Sequence, residues 1–135
     1  MQSHLGHLVL GAQPNNLPFY KDLLTFMGWQ MLYDSPEMIG LGDKNGVSVW
    51  LGKPLKDVDN DYDGAGLNHL AISTATLADV DATAQYLISK GVAMLFETPR
   101  HRHDFMPPPQ TYYQIMFETP DRILVEVVYI GPLSP

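Results

Sequence analysis

Apolar and polar positions alternate at the start of the chain and then change period. Leu8 and Leu10 fall on one face of a short strand, and His7, Val9 and Gly11 on the other. The apolar positions that follow take a helical spacing, with Phe19, Leu23, Leu24 and Met27 in one stripe. Asn15 or Asn16 can cap this helix, Pro18 is tolerated in its first turn, and Gly28 is a natural stop. Three strands are expected next, over residues 29–34, 37–41 and 46–51, with Asp43-Lys44-Asn45-Gly46 as the turn before the last.

The same order then recurs. A strand is expected over residues 67–73, and Thr76 caps a helix three residues before Asp79. Leu77, Val80, Ala84, Leu87 and Ile88 make its apolar stripe, and Gly91 ends it. Strands over 92–96, 111–117 and 123–130 complete the second unit. Between the first two lies a long loop, 97–110, with Arg100-His101-Arg102-His103 and three consecutive prolines. The two halves keep register: His7 and His69 are 62 apart (69 − 7), and Gly28 and Gly91 are 63 apart (91 − 28). The expected architecture is therefore α+β. One domain over residues 1–135 contains two βαβββ modules, about 5–52 and 66–130, joined by a polar linker at 53–65. Two such units can pair their sheets into a curved, half-barrel cleft with the helices outside.

Composition narrows the function. A net charge of −7 with only 8 Lys+Arg argues against a nucleic-acid footprint. No apolar run is long enough to span a membrane. There is no cysteine, hence no disulfide framework and no thiolate chemistry. Met1-Gln2-Ser3-His4 lacks the basic start and apolar stretch of a signal peptide, so a cytoplasmic location is expected.

Strand parity places the candidate chemistry. If Leu8 and Leu10 pack on the first helix, His7 and Val9 face the cleft; by the same rule so do His69, Ala71 and Ser73. In the last strand Ile123, Val125 and Val127 take the helix side, leaving Leu124, Glu126 and Val128 for the cleft. A lone carboxylate inside Ile-Leu-Val-Glu-Val-Val is costly to bury unless something pairs with it. His7, His69 and Glu126 would form a two-histidine, one-carboxylate set for a divalent ion: Fe, Mn, Zn, Ni or Co. Tyr112, Gln114 and Met116 share the cleft parity of the seventh strand. Tyr112 is the candidate acid or hydrogen-bond donor, and Gln114 and Met116 are candidate substrate contacts. Trp50 is a candidate pocket wall, and Arg102 belongs to a loop able to close over an anionic substrate.

These residues carry a resemblance. Gly6-His7-Leu8-Val9-Leu10, Phe19-Tyr20-Lys21-Asp22-Leu23-Leu24 followed by Gly28-Trp29, Leu67-Asn68-His69-Leu70-Ala71-Ile72, and the ending from Phe117 to Glu126 resemble the vicinal oxygen chelate superfamily. Its members include glyoxalase I, bleomycin-resistance proteins, fosfomycin-resistance enzymes and extradiol dioxygenases. The resemblance implies paired βαβββ modules and a divalent ion chelating vicinal oxygens of a small-molecule substrate. It also implies a homodimer. Either an enzyme of the glyoxalase/dioxygenase type or a ligand-sequestering protein without catalysis fits that frame. Trp50 stands where four-ligand glyoxalase I sites usually have an acid, which counts against that activity.

Overall fold

Gly11 and Gly52 close a parallel pair of strands that the first module is built around. In a computed structural model that describes residues 1–134, β1 (His7–Gly11) runs parallel to β4 (Ser48–Gly52), with His7 opposite Ser48 and Val9 opposite Trp50. Between them in sequence come α1 (Leu17–Phe26), β2 (Gln30–Asp34) and β3 (Met38–Gly42). The sheet order is β1-β4-β3-β2. The alternation of β1 is seen as expected: Leu8 and Leu10 are half-buried while His7 and Val9 are exposed. Ile39, Leu41, Val49 and Leu51 are buried on the helix side of the sheet, together with Leu17, Tyr20, Leu23 and Leu24 of α1. Leu17 and Tyr20 thus carry helix contacts that the stripe through Phe19 and Met27 did not include. Pro18 sits in the first turn, and Gly28 leaves the helix in the left-handed region (φ 92°), where a side chain would be strained.

The second module repeats this topology. It comprises β5 (Leu70–Ser73), α2 (Leu77–Ser89), β6 (Arg100–His101), β7 (Gln110–Glu118) and β8 (Leu124–Pro132), in the sheet order β5-β8-β7-β6. β5 is parallel to β8, with Ala71 opposite Glu126. The core lies between this sheet and α2: Val80, Ala84 and Leu87 meet the side of the sheet that carries Ile72, Ile115, Phe117, Val125 and Val127. Each such side chain removed from water contributes about 1.5–3 kcal/mol. Thr76 Oγ1 caps α2 by accepting from the Asp79 amide at 3.1 Å. Ile88 is an exception to the expected stripe: it is exposed, and Thr83 is buried instead, its hydroxyl donating to the Asp79 carbonyl.

Three local expectations are corrected. Residues 92–96 do not form a strand. The Met116 carbonyl accepts from the Leu95 amide (2.8 Å), but the Met116 amide donates to the Thr98 hydroxyl (3.0 Å), so a side chain replaces the next ladder partner. Phe96 and Glu97 then turn away with left-handed backbones (φ 56° and 60°). The edge strand is instead the short β6, inside the segment read as loop. His69 does not head its strand but directly precedes it, since β5 begins at Leu70. The polar stretch after residue 52 is also not uniformly a linker. Contacts divide the chain into two compact units, Met1–Asp59 and the residues from Asn60 onward. Asn60 donates to the Arg122 carbonyl (2.8 Å) and the Tyr62 hydroxyl to Glu118 (2.7 Å), which binds the end of that stretch to the second module.

Candidate functional site

Glu126 is the most unusual residue of β8. Its neighbours Leu124, Val125, Val127 and Val128 are all buried, and the carboxylate itself is only 3% exposed. Two side chains meet it. The Tyr112 hydroxyl, from the facing strand β7, donates to Oε1. His69 Nε2 lies 3.0 Å from Oε2. β7 supplies Tyr112 by the parity expected: Met116 is directly opposite Glu126, and Tyr112, Gln114 and Met116 share its face. Tyr113, on the other face, donates to Asp81 of α2. Burial first, then the hydrogen bond to Glu126 and its charge, push the Tyr112 hydroxyl up to about 12, while Arg102 pulls the other way. Tyr112 is therefore a donor at neutral pH.

The ring of His69 is held between two acceptors. Asn68 Nδ2 donates to the Tyr62 carbonyl at 2.9 Å, which turns the amide so that Asn68 Oδ1 faces His69 Nδ1 at 2.7 Å. An acceptor there requires Nδ1 to carry a proton. In the neutral ring Nε2 is then a lone pair, and it faces a carboxylate oxygen. Two lone pairs at 3.0 Å repel unless a cation lies between them or a further proton, on the ring or on the carboxyl, joins them. A histidine that ligates a metal through one nitrogen and donates its other N–H to an oxygen has the same arrangement. The donor set of the second module thus fits two ligands of a divalent ion. Among the described residues, however, no three His, Asp or Glu side chains are gathered into a group able to hold a metal ion.

Beside this cluster is a cavity of about 400 Å³ lined by Tyr62, Asp63, Asn68, His69, Phe96, Arg100, Arg102, Gln114, Met116 and Leu124. Its volume suits a small organic molecule. Of the residues expected from sequence, Arg102, Gln114, Met116 and His69 line it, whereas the Tyr112 hydroxyl is engaged with Glu126. Asn68, Phe96 and Arg100 were not anticipated. For Asn68 the sequence does hold a signal, an amide next to the candidate ligand; Phe96 was hidden by its reading as strand.

His7 and Trp50 belong to the first module. Val9 pairs with Trp50 and Ala71 with Glu126, and each histidine precedes the paired residue by two, so His7 matches His69 and Trp50 matches Glu126. Trp50 lies over Gly40, where an added Cβ would come within 2.6 Å of the indole. Its Nε1 donates to the Ser48 hydroxyl at 3.0 Å. The position that is a carboxylate in one module is an aromatic plate in the other.

The chain is thus a small α+β protein of two tandem βαβββ modules, the second with a buried carboxylate and an imidazole beside a cavity. The chain belongs to the Glyoxalase/Bleomycin resistance protein/Dioxygenase superfamily, whose family model matches residues 3–127. It is similar to the uncharacterized protein YqjT of Bacillus subtilis, with 40% identity over 82 residues, spanning 61% of this chain and 61% of that protein. A candidate glyoxalase from Bacillus halodurans has a similar structure, with a TM-score of 0.78, 24% identity, and coverage of 95% of this chain and 96% of that one. A glyoxalase/bleomycin resistance protein from Albidiferax ferrireducens aligns with a TM-score of 0.75 at 15% identity, over 94% and 99% of the two chains. At such identities these structures speak for the fold alone. No helix among the described residues is long and apolar enough to cross a membrane.

Proposed function

We propose that the protein is a small-molecule metalloenzyme of the glyoxalase/dioxygenase type, with a divalent ion held by His69, Glu126 and His7. The observation that carries this reading is the orientation of His69, whose Nδ1–H is fixed on Asn68 while Nε2 meets the buried carboxylate. His7 occupies the matching position in the first module and would supply the third ligand. In the homodimer we take as the working unit, His7 is supplied either by the same chain or by its partner. Two nitrogens and a carboxylate oxygen suit Fe, Mn, Zn, Ni or Co alike.

A bound divalent ion supplies Lewis acidity toward two adjacent oxygens of a substrate. The chain's own residues orient the ligands and shape the cavity. Tyr112 holds Glu126 by one oxygen, which leaves the other for binding. Met116, Leu124 and Phe96 keep part of the cavity apolar, and Gln114 and Arg102 present donors. Residual water exclusion at the buried carboxylate strengthens every charge interaction there.

The test is metal analysis of protein purified without a histidine tag, followed by activity screening with 2-oxoaldehydes and catechols. One ion per chain in the wild type, lost in His69→Ala and in Glu126→Gln, is the expected result. A second reading, sequestration of a ligand without catalysis, rests on the cavity of the second module, which can hold a small molecule without an ion. It prevails if metal content is negligible and unaffected by either substitution.

A further inference from the structure

Hydrogen-bond capacity around the second module's cavity is unevenly distributed. Two acceptors on its wall are engaged: Asn68 Oδ1 by His69, and Gln114 Oε1 by Arg102 Nη1 at 3.3 Å. The donors are not. Gln114 Nε2 makes no hydrogen bond among the described residues and is not a fully buried atom. Arg102 uses Nε and Nη2 on Asp104 (3.0 and 2.7 Å), and its guanidinium is stacked on the Phe105 ring, 4.0 Å from the centroid. That bracing fixes the plane and leaves the Nη1 edge toward Gln114. Arg100 is 3.8 Å from Glu97, a carboxylate 91% exposed, and a pair of this kind contributes little in water. Asp63 is the one acidic residue lining the cavity, and it is exposed.

The rest of the lining is largely apolar. Met116 and Leu124 project from β7 and β8, and Phe96 is 57% exposed at the rim. Phe96 and Glu97 both take left-handed backbones, which costs a non-glycine residue about 1–2 kcal/mol. Strain of this type often clusters at active sites and ligand clamps.

We infer that this cavity takes a small organic carboxylate, its charged end on Arg100, Arg102 and Gln114 and its apolar body against Phe96, Met116 and Leu124. A carboxylate accepts from a guanidinium edge and an amide donor together, which a neutral oxygen does less strongly. The inference names a substrate class for the proposed metalloenzyme and rests on that reading only for the word substrate; binding of the anion itself does not need the ion.

The experiment measures binding of phenylglyoxylate and of its neutral amide to metal-stripped protein by two-dimensional NMR. The acid is expected to bind about ten- to hundredfold more tightly than the amide, and to lose that advantage in Arg100→Gln and in Gln114→Leu. Shifted amides are expected around residues 96–102 and 114–116. Arg102→Gln is the sharper variant, but Arg102 also braces its loop, so the first two keep the test open if it fails to fold. Equal affinity for acid and amide, or an acid affinity unchanged in both variants, overturns the inference. If the acid binds but the protein holds no metal, the metalloenzyme reading fails and the carboxylate site stands. If metal binds but acid and amide are equal, the reverse holds.

Discussion

Trp50 and Glu126 occupy the same register position in their two sheets. Trp50 lies opposite Val9 and Gly40, and Glu126 lies opposite Ala71 and Met116. The topology that places a carboxylate beside an imidazole in the second module therefore places an indole there in the first. One carboxylate per chain allows one metal site of the proposed kind per chain, not two.

The indole depends on Gly40. A Cβ at that position would meet the Trp50 ring at 2.6 Å, so Gly40→Ala is expected to destabilise the first module by about 1–3 kcal/mol. The same substitution in a Trp50→Ala background should cost much less. Urea unfolding of the four proteins in the cycle measures the coupling, and additive effects would remove the steric account.

Asn68 should matter for metal binding although it is not a ligand. Replacing it with Ala frees the ring of His69 to change tautomer, which is expected to weaken metal affinity about 10–100-fold with little change in folding. Competition with a chromogenic chelator gives the number. An unchanged affinity would mean that the histidine is oriented by something else.

Sharing of the site between chains can be tested by mixing. A His7→Ala chain and a Glu126→Gln chain are each expected to lack metal. If His7 comes from the partner, a mixed dimer contains one intact site and recovers about half of the wild-type metal content. If all three ligands come from one chain, mixing restores nothing.

Tyr112→Phe leaves the buried Glu126 without one of its two partners. A loss of about 1–3 kcal/mol in stability is expected, read by thermal or denaturant unfolding. Added metal should return part of it if the ion neutralises the carboxylate.

Alkaline pH should act through both Tyr112 and Tyr113, of which Tyr113 lies away from the proposed metal ligands. Burial first, then the hydrogen bond and charge of Asp81, raise its hydroxyl from an ordinary 10.0 to about 12 in the folded chain. Its contribution is complete below about pH 10 and is lost as pH rises toward 12, because the unfolded chain releases the proton first. Tyr113→Phe should remove part of that fall, with Tyr112 keeping the rest, and a profile unchanged in the variant would remove Tyr113 from the account.

Much of this protein was legible in the order of its residues. Period-two and helical spacings are local consequences of backbone geometry, so β1, α1 and α2 and the face of Glu126 follow from the sequence alone. The match of His7 with His69 was readable because a duplicated topology repeats its spacing, and that of Trp50 with Glu126, 76 apart (126 − 50), because the extra residues fit the 97–110 loop. What the tertiary structure decided was how edges and polar atoms are satisfied. The apolar run at 92–96 has the pattern of a strand, but the Thr98 hydroxyl takes the Met116 amide and the edge passes to Arg100–His101. Likewise, the tautomer of His69 depends on Asn68 being fixed by the Tyr62 carbonyl, and the donor-rich wall depends on Arg102 being braced by Asp104 and Phe105. Hydrogen bonds between side chains distant in sequence leave no period along the chain, because only the folded backbone brings their partners within reach.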